Sequence, residues 1–246
     1  MKKIMKATVL LAGAWLMQGC GLDNYDEPEA QFSGRVTYQG EPLQLRHGSI
    51  KFDLEQDSYE LGDKIEVAIA QEGTFAARIF PGEYRFVPRP GNGPWTDDCQ
   101  PVEFTIKGGK QLDFEVVPYY LLRNSNITLS GNTLNGVCSV KSIAGGKAIE
   151  AMTLFSAKFG CLLRAARTLW GVPGLFERFI GKTRFVDDRG GRSVVTSNFE
   201  QPAEGVNNIS VNIKEIVDKY PVLYARIGLK IHGVDERIYT EIVKIK

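Results

Sequence analysis

Apolar residues return at every second position over much of this chain, as in Ile50, Phe52 and Leu54 or Val102, Phe104 and Ile106. The same alternation runs through Ile65, Val67 and Ile69 and through Leu112, Phe114 and Val116. That period buries one face of an extended segment, whereas a helix needs apolar residues three and four apart. Turn signals interrupt the runs: Gln39-Gly40-Glu41-Pro42, Gln71-Glu72-Gly73, Pro81-Gly82 and Lys107-Gly108-Gly109-Lys110, the last read as a tight hairpin. Short alternating runs with a turn about every 8–12 residues define an all-β sandwich.

The second half repeats the pattern. Ile127 to Leu129 and Leu134 to Val140 flank a turn, Ile149 to Phe155 reads as a strand, and Ile209, Val211 and Ile213 alternate. Lys214 to Tyr220 reads as a short helical crossover closed by Pro221. A final hairpin joins Tyr224–Ile231 to Ile238–Ile245 through Gly233-Val234-Asp235-Glu236. With 246 residues there is material for two domains. The expected division is one β-sandwich over 31–118 and a second over 119–246, with Tyr119 and Tyr120 packing at the junction.

One segment departs from this. Within about 158–182, Phe159, Leu162, Leu163, Ala166, Leu169 and Trp170 fall at helical spacing. Gly171-Val172-Pro173-Gly174 breaks that helix, and Phe176 and Phe179 belong to a second short apolar piece. Large apolar side chains need cover, at about 25 cal/mol per Å² of surface. Three covers are open: the sandwich itself, a protein partner, or a membrane. Phe159, Leu163, Trp170, Phe176 and Phe179 are the contact residues in the last two.

The chain begins with Lys2, Lys3 and Lys6, an apolar run from Ala7 to Met17, and Gln18-Gly19-Cys20. A basic start, a short apolar core and a small residue at the cut make 1–19 a secretory leader, too short for a permanent span. A cysteine directly after the small residue resembles a bacterial lipobox, which implies that Cys20 becomes the acylated first residue. The alternative is a soluble exported protein cut near Gly19. Residues 20–30 are acidic, hold Pro28 and lack apolar periodicity, and so read as a flexible tether. Several acyl chains, at about 0.8 kcal/mol per buried methylene, would hold such a protein on a membrane.

Two further stretches carry a resemblance. Gly34-Arg35-Val36-Thr37 with Gly40-Glu41-Pro42-Leu43, and Gly73-Thr74-Phe75 with Phe80-Pro81-Gly82-Glu83-Tyr84, resemble transthyretin-like (prealbumin, carboxypeptidase-regulatory) modules. Together with Leu22-Asp23-Asn24-Tyr25-Asp26 and Val117-Pro118-Tyr119-Tyr120, they are similar to the DUF3823 lipoproteins of Bacteroidetes. The resemblance implies a transthyretin-like domain followed by an immunoglobulin- or fibronectin III-like one, with 158–182 as a helical insertion in the second. Tyr224 is then similar to the tyrosine that ties down a loop at strand F of such folds. Acidic residues behind a lipidated cysteine resemble a surface-export signal. That implies an outer-membrane lipoprotein on the cell surface, with the periplasmic face as alternative.

The formal net charge of +1 gives no clustered basic face, so nucleic acid is not an expected partner. His47 and His232 lie in different expected domains, and no nucleophile elbow, zinc-protease motif or phosphate loop occurs. Asp97-Asp98 and Asp187-Asp188 are adjacent carboxylates that point apart on a strand, unlike the converging pair of a glycosidase. No metal, cofactor or enzymatic activity is expected. Beyond Cys20 the chain has Cys99, Cys138 and Cys161, whose pairing is left open. The one candidate binding loop is 88–100. There Asn92, Trp95 and Asp97 set an indole beside amide and carboxylate groups on a loop stiffened by Gly and Pro. Sugar rings stack on aromatics and bond to such polar groups; the rival reading folds Trp95 over the core. The expected function is therefore non-catalytic: an accessory in glycan binding or uptake, held on the membrane by acyl chains beside an outer-membrane uptake complex. The alternative is a structural or protein-interaction module that uses the apolar insertion.

Overall fold

The computed structural model describes residues 27–56, 64–158 and 194–246. The leader, Cys20, most of the tether, Cys161, Asp187-Asp188 and the insertion with Phe159, Leu163, Trp170, Phe176 and Phe179 lie outside the described residues. The described chain forms two β-sandwiches in series.

In the first sandwich β1 (Ala30–Tyr38) is central to one sheet. It pairs antiparallel with β2 (Glu41–Pro42) and β5 (Thr74–Ile79), and parallel with β8 (Gly109–Gln111) and β9 (Phe114–Glu115). The facing sheet has the order β4 (Ile65–Ala68), β3 (Lys51–Glu55), β6 (Gly82–Pro88) and β7 (Val102–Ile106), all antiparallel. The alternation read from the sequence supplies the interior. Phe32 stacks on Phe104 at 4.6 Å, while Phe52 meets Phe86 at 4.8 Å and Phe114 at 4.9 Å.

The expected hairpin at 107–110 is absent. The chain leaves β7 in one sheet and enters β8 in the other, where it runs beside β1 and Gln31 N–H donates to Gly108 O at 2.6 Å. Alternation on both sides of Gly108-Gly109 cannot distinguish a hairpin from a change of sheet, because each buries one face. The crossing is tight: a Cβ on Gly34 would stand 1.8 Å from Leu112 O.

The second sandwich faces a three-stranded sheet against a larger one. The first has the order β10 (Tyr120–Ser130), β11 (Thr133–Ser142), β14 (Gly205–Asn212). The second has the order β13 (Val194–Asn198), β12 (Ile149–Lys158), β15 (Leu223–Ile231), β16 (Ile238–Tyr239), with β17 (Val243–Lys244) also on β15. The short helix α1 (Lys214–Lys219) carries the chain from β14 to β15, as its sequence indicated. This is an immunoglobulin/fibronectin-type arrangement with a Greek-key crossover. The last strand breaks at Thr240, whose buried hydroxyl accepts the Ile227 N–H at 3.0 Å. Tyr224, expected at a strand-F corner, lies on the outer side of β15. Ala225 and Ile227 point inward, so Tyr224 faces outward and packs against Phe155 and Tyr239.

The two sandwiches share one continuous core through Trp95, Val116, Tyr120, Leu121, Ile231 and Val234. Segment 43–49 of the first lies against β15 and β16 of the second. Tyr239 N–H donates to Gln44 O at 3.0 Å, Arg226 Nη1 to Leu45 O at 3.1 Å, and Ser49 Oγ to Glu236 Oε2 at 3.1 Å.

Candidate functional site

The loop 88–100, where sequence placed a binding site, is built into the structure instead. Trp95 is 3% exposed and meets Phe52 edge-on at 6.1 Å. Its backbone bridges Pro118, while Thr96 N–H donates to Val117 O at 3.0 Å and Tyr119 N–H to Pro94 O at 3.1 Å. A Cβ on Gly93 would fall 2.2 Å from the indole, so the ring is roofed by backbone. Asn92 Oδ1 accepts the Lys51 N–H at 2.6 Å, and Asp97 Oδ1 accepts the Gly91 N–H at 2.7 Å. Arg89 joins Asp53 at 2.6 Å and Glu66 at 3.0 Å, and its bond to Asp53 holds the guanidinium pKa above its ordinary value. Trp95 therefore offers no face to a sugar; burial of an indole outweighs its display on a surface. The loop acts as a strut between the domains.

Its neighbours share that role. Tyr120 is buried and its hydroxyl donates to Lys147 O at 2.6 Å. Tyr119 is half-buried beside Lys147, 5.2 Å from the ring centre, and burial, with Asp97 and Asp98 nearby, raises its phenol pKa. Cys99 and Cys138 are free thiols in separate sandwiches, and burial pushes Cys138 up to about 11. His47 and His232 are both exposed.

The concavity that joins the two domains lies elsewhere. A cleft of about 400 Å³ opens between Tyr38 and the 41–44 segment on one side and the start of β10 with 238–241 on the other. That volume is in the range of small-ligand sites, and domain junctions are where such sites occur. Leu43, Leu121, Ile238 and Tyr239 give it a buried apolar floor. Its rim is polar. Register slips between Arg123 and Asn126, so Asn124 and Ser125 stand out of the ladder as a bulge, with Asn124 at φ 50°. Asn tolerates that left-handed conformation, and a bulge re-aims side chains. The side chains of Asn124 and Ser125 have no hydrogen-bond partner among the described residues, and both residues are exposed. Across the mouth Arg123 pairs with Glu41, joining one domain to the other. Neither side of this cleft was singled out from sequence as a binding site. The cue present was Asn124-Ser125-Asn126, three polar residues interrupting an alternating strand.

Comparison with known proteins accords with this architecture. The N-terminal domain model of the DUF3823 proteins of unknown function matches residues 30–117, and a C-terminal DUF3823 domain of unknown function matches 176–244. A DUF3823 protein from Parabacteroides merdae ATCC 43184 is 33% identical, over 90% of this chain and 100% of its own, with a TM-score of 0.73. The chain belongs to the DUF3823 family. A DUF3823 protein from Bacteroides ovatus ATCC 8483 is 23% identical over 88% of this chain and 98% of its own, with a TM-score of 0.69. A Bacteroides uniformis ATCC 8492 protein solved as a "putative carbohydrate binding protein" shares the fold at 19% identity and a TM-score of 0.61, over 89% of this chain and 99% of its own. No functionally curated protein matches the chain. No helix of this DUF3823 protein, among the described residues, is long and apolar enough to cross a membrane.

Proposed function

We propose that this DUF3823 protein is a non-catalytic, lipid-anchored receptor of the outer-membrane surface that binds glycan in the interdomain cleft as an accessory to an uptake complex. The observation that carries the reading is the cleft: an apolar floor with a rim of hydroxyl, amide, carboxylate and guanidinium groups at a pinned domain junction. Sugars present apolar C–H faces and hydroxyls, and so need that combination. The naming of the fold neighbour from Bacteroides uniformis is consistent with it. Glu41, one of the cleft's carboxylates, is exposed and ion-paired with Arg123. The lipobox at Cys20 supports the anchor, and the acidic residues behind it support the surface location.

Titration calorimetry of the mature protein against an oligosaccharide panel tests the reading. Binding is expected, weakened about tenfold by Tyr38→Ala or Arg123→Ala. Silence across the panel would favour the structural-module reading. Mass spectrometry of the mature N-terminus tests the anchor separately: an unmodified residue there removes it.

A further inference from the structure

The outer face of the β10–β11–β14 sheet begins at the cleft and is almost free of charge. Register places its outward side chains in four rows of three and, at the cleft end, one pair. That pair, Leu121 and the exposed Lys141, stands nearest the cleft; the first full row holds Arg123, Ser139 and Val206, and the next holds Asn126, Val137 and Asn208. Beyond them come Thr128, Asn135 and Ser210, then Ser130, Thr133 and Asn212. Arg123 and Lys141, both at the cleft end, are the charges on it, in a chain with 24% charged residues. Solvent-facing sheets of soluble domains ordinarily carry interspersed Lys, Glu and Arg, and this one carries amides and hydroxyls instead. The face is open: Val206 is 74% exposed and Val137 37%. Among the described residues the row of Asn135 is also ordered, with Ser210 Oγ donating to Asn135 Oδ1 at 2.9 Å.

We infer that this face is a second binding surface, a platform along which an extended, uncharged polysaccharide lies after leaving the cleft. Three physical points fix the occupant. Amide and hydroxyl groups both donate and accept, matching ring hydroxyls without favouring ionic groups. The exposed valines supply apolar patches for C–H faces. The seven residues of β11 from Thr133 to Ser139 span about 20 Å, longer than a monosaccharide needs. Arg123 belongs to both cleft and platform, which makes the two continuous. The inference rests on the cleft reading and deepens it, from glycan in general to a neutral polymer.

The test is affinity electrophoresis of the mature protein in gels containing mannan, xylan or β-glucan, with polygalacturonate as the anionic control, alongside calorimetry with short oligosaccharides. Thr128→Glu/Asn208→Glu places charge on exposed positions; Val206→Glu does so at the most exposed one and keeps the test alive should the double variant unfold. Expected is retardation by a neutral polymer that falls about tenfold or more in either variant, with short-oligosaccharide affinity at the cleft unchanged. Equal polymer binding by wild type and variants overturns the platform and leaves the cleft standing. Preferential retardation by polygalacturonate overturns the neutral class. Silence toward every saccharide sinks both readings. A protein strand pairing along the edge of β14 that is unpaired among the described residues, seen as a stable complex unaffected by polymer, also overturns the platform.

Discussion

The two sandwiches put their aromatic residues in opposite places. In the first, Phe32, Phe52, Phe75, Phe86, Phe104 and Phe114 interlock inside, and Trp95 joins them. In the second, the interior is mainly aliphatic, with Leu134, Met152, Leu154, Ile227 and Leu229 beside the ring of Phe199. Its rings Phe155 and Tyr239 form a separate cluster on the far side of the β12–β15 sheet, in the company of arginines. Arg226, 1% exposed, lies 3.7 Å from the Tyr239 ring centre, and Arg237 lies 5.6 Å from that of Phe155. The difference teaches that an aromatic residue on a Gly- and Pro-rich loop is not evidence of a ligand when the neighbouring core is itself aromatic. The first domain consumes its rings in packing. The second uses its outer faces for contacts, and one of those contacts is the first domain.

The sharpest way to break the comparison is Trp95→Ala. If the indole is core, the change removes a large buried ring and loosens the strut, and costs about 3–5 kcal/mol. Denaturant unfolding reads this as a lowered midpoint, and the protein that remains folded keeps its glycan affinity. A stable variant that has lost glycan binding would return Trp95 to the ligand.

Arg226→Met probes the contact between the domains. The substitution keeps much of the apolar stem but deletes the bond to Leu45 O and the cation over Tyr239. A charged hydrogen bond of this kind contributes about 1.5–3 kcal/mol. Calorimetry is expected to turn one unfolding transition into two, with the aromatic-cored domain melting later. A single unshifted transition would mean that the shared core, rather than Arg226, couples the domains.

How much of this was legible beforehand follows from which forces are local. Alternation is a property of neighbours, so both sandwiches and the helix over 214–219 could be read directly. The change of sheet at Gly108-Gly109 could not, since pairing with β1 is decided 78 residues away in sequence, as in Gln31 with Gly109. Arg226 escaped for the same reason: in Tyr224-Ala225-Arg226-Ile227 it reads as the solvent side of a strand, and only tertiary contact buries it. The cleft needs two segments, 41–44 and 121–125, that no sequence window contains together. The polar platform was readable residue by residue, yet its meaning depends on register across three strands.

A smaller effect separates the thiols of the two domains. Cys138 is fully buried with its pKa pushed up to about 11, while Cys99 is half-exposed and raised by burial and by Asp98. At neutral pH a thiol reagent is expected to label Cys99 within the native protein and Cys138 only after unfolding. Equal labelling rates would show that the aliphatic core opens more readily than its packing suggests.

The smallest effect concerns the edge where β1 meets the 111–114 segment. Arg35 Nη2 holds Asp113 at 2.6 Å, and the same carboxylate accepts the Arg35 N–H at 3.1 Å. These bonds hold the Asp113 carboxyl below its ordinary pKa. A carboxyl with a depressed folded pKa adds stability that is complete above its unfolded pKa and is lost as pH falls through the folded one. Asp113→Asn should therefore cost little at pH 7, since solvent screens the pair. The difference from wild type should shrink further below about pH 4. Because the first domain carries this pair and the second has no counterpart among its described ion pairs, acid titration of a variant with a weakened domain contact, Arg226→Met, is the cleanest readout. The transition assigned to the aromatic-cored domain alone should move with Asp113→Asn. If both transitions move together, the domains remain coupled without Arg226, and the contrast between the aromatic-cored and the aliphatic-cored domain fails at their junction.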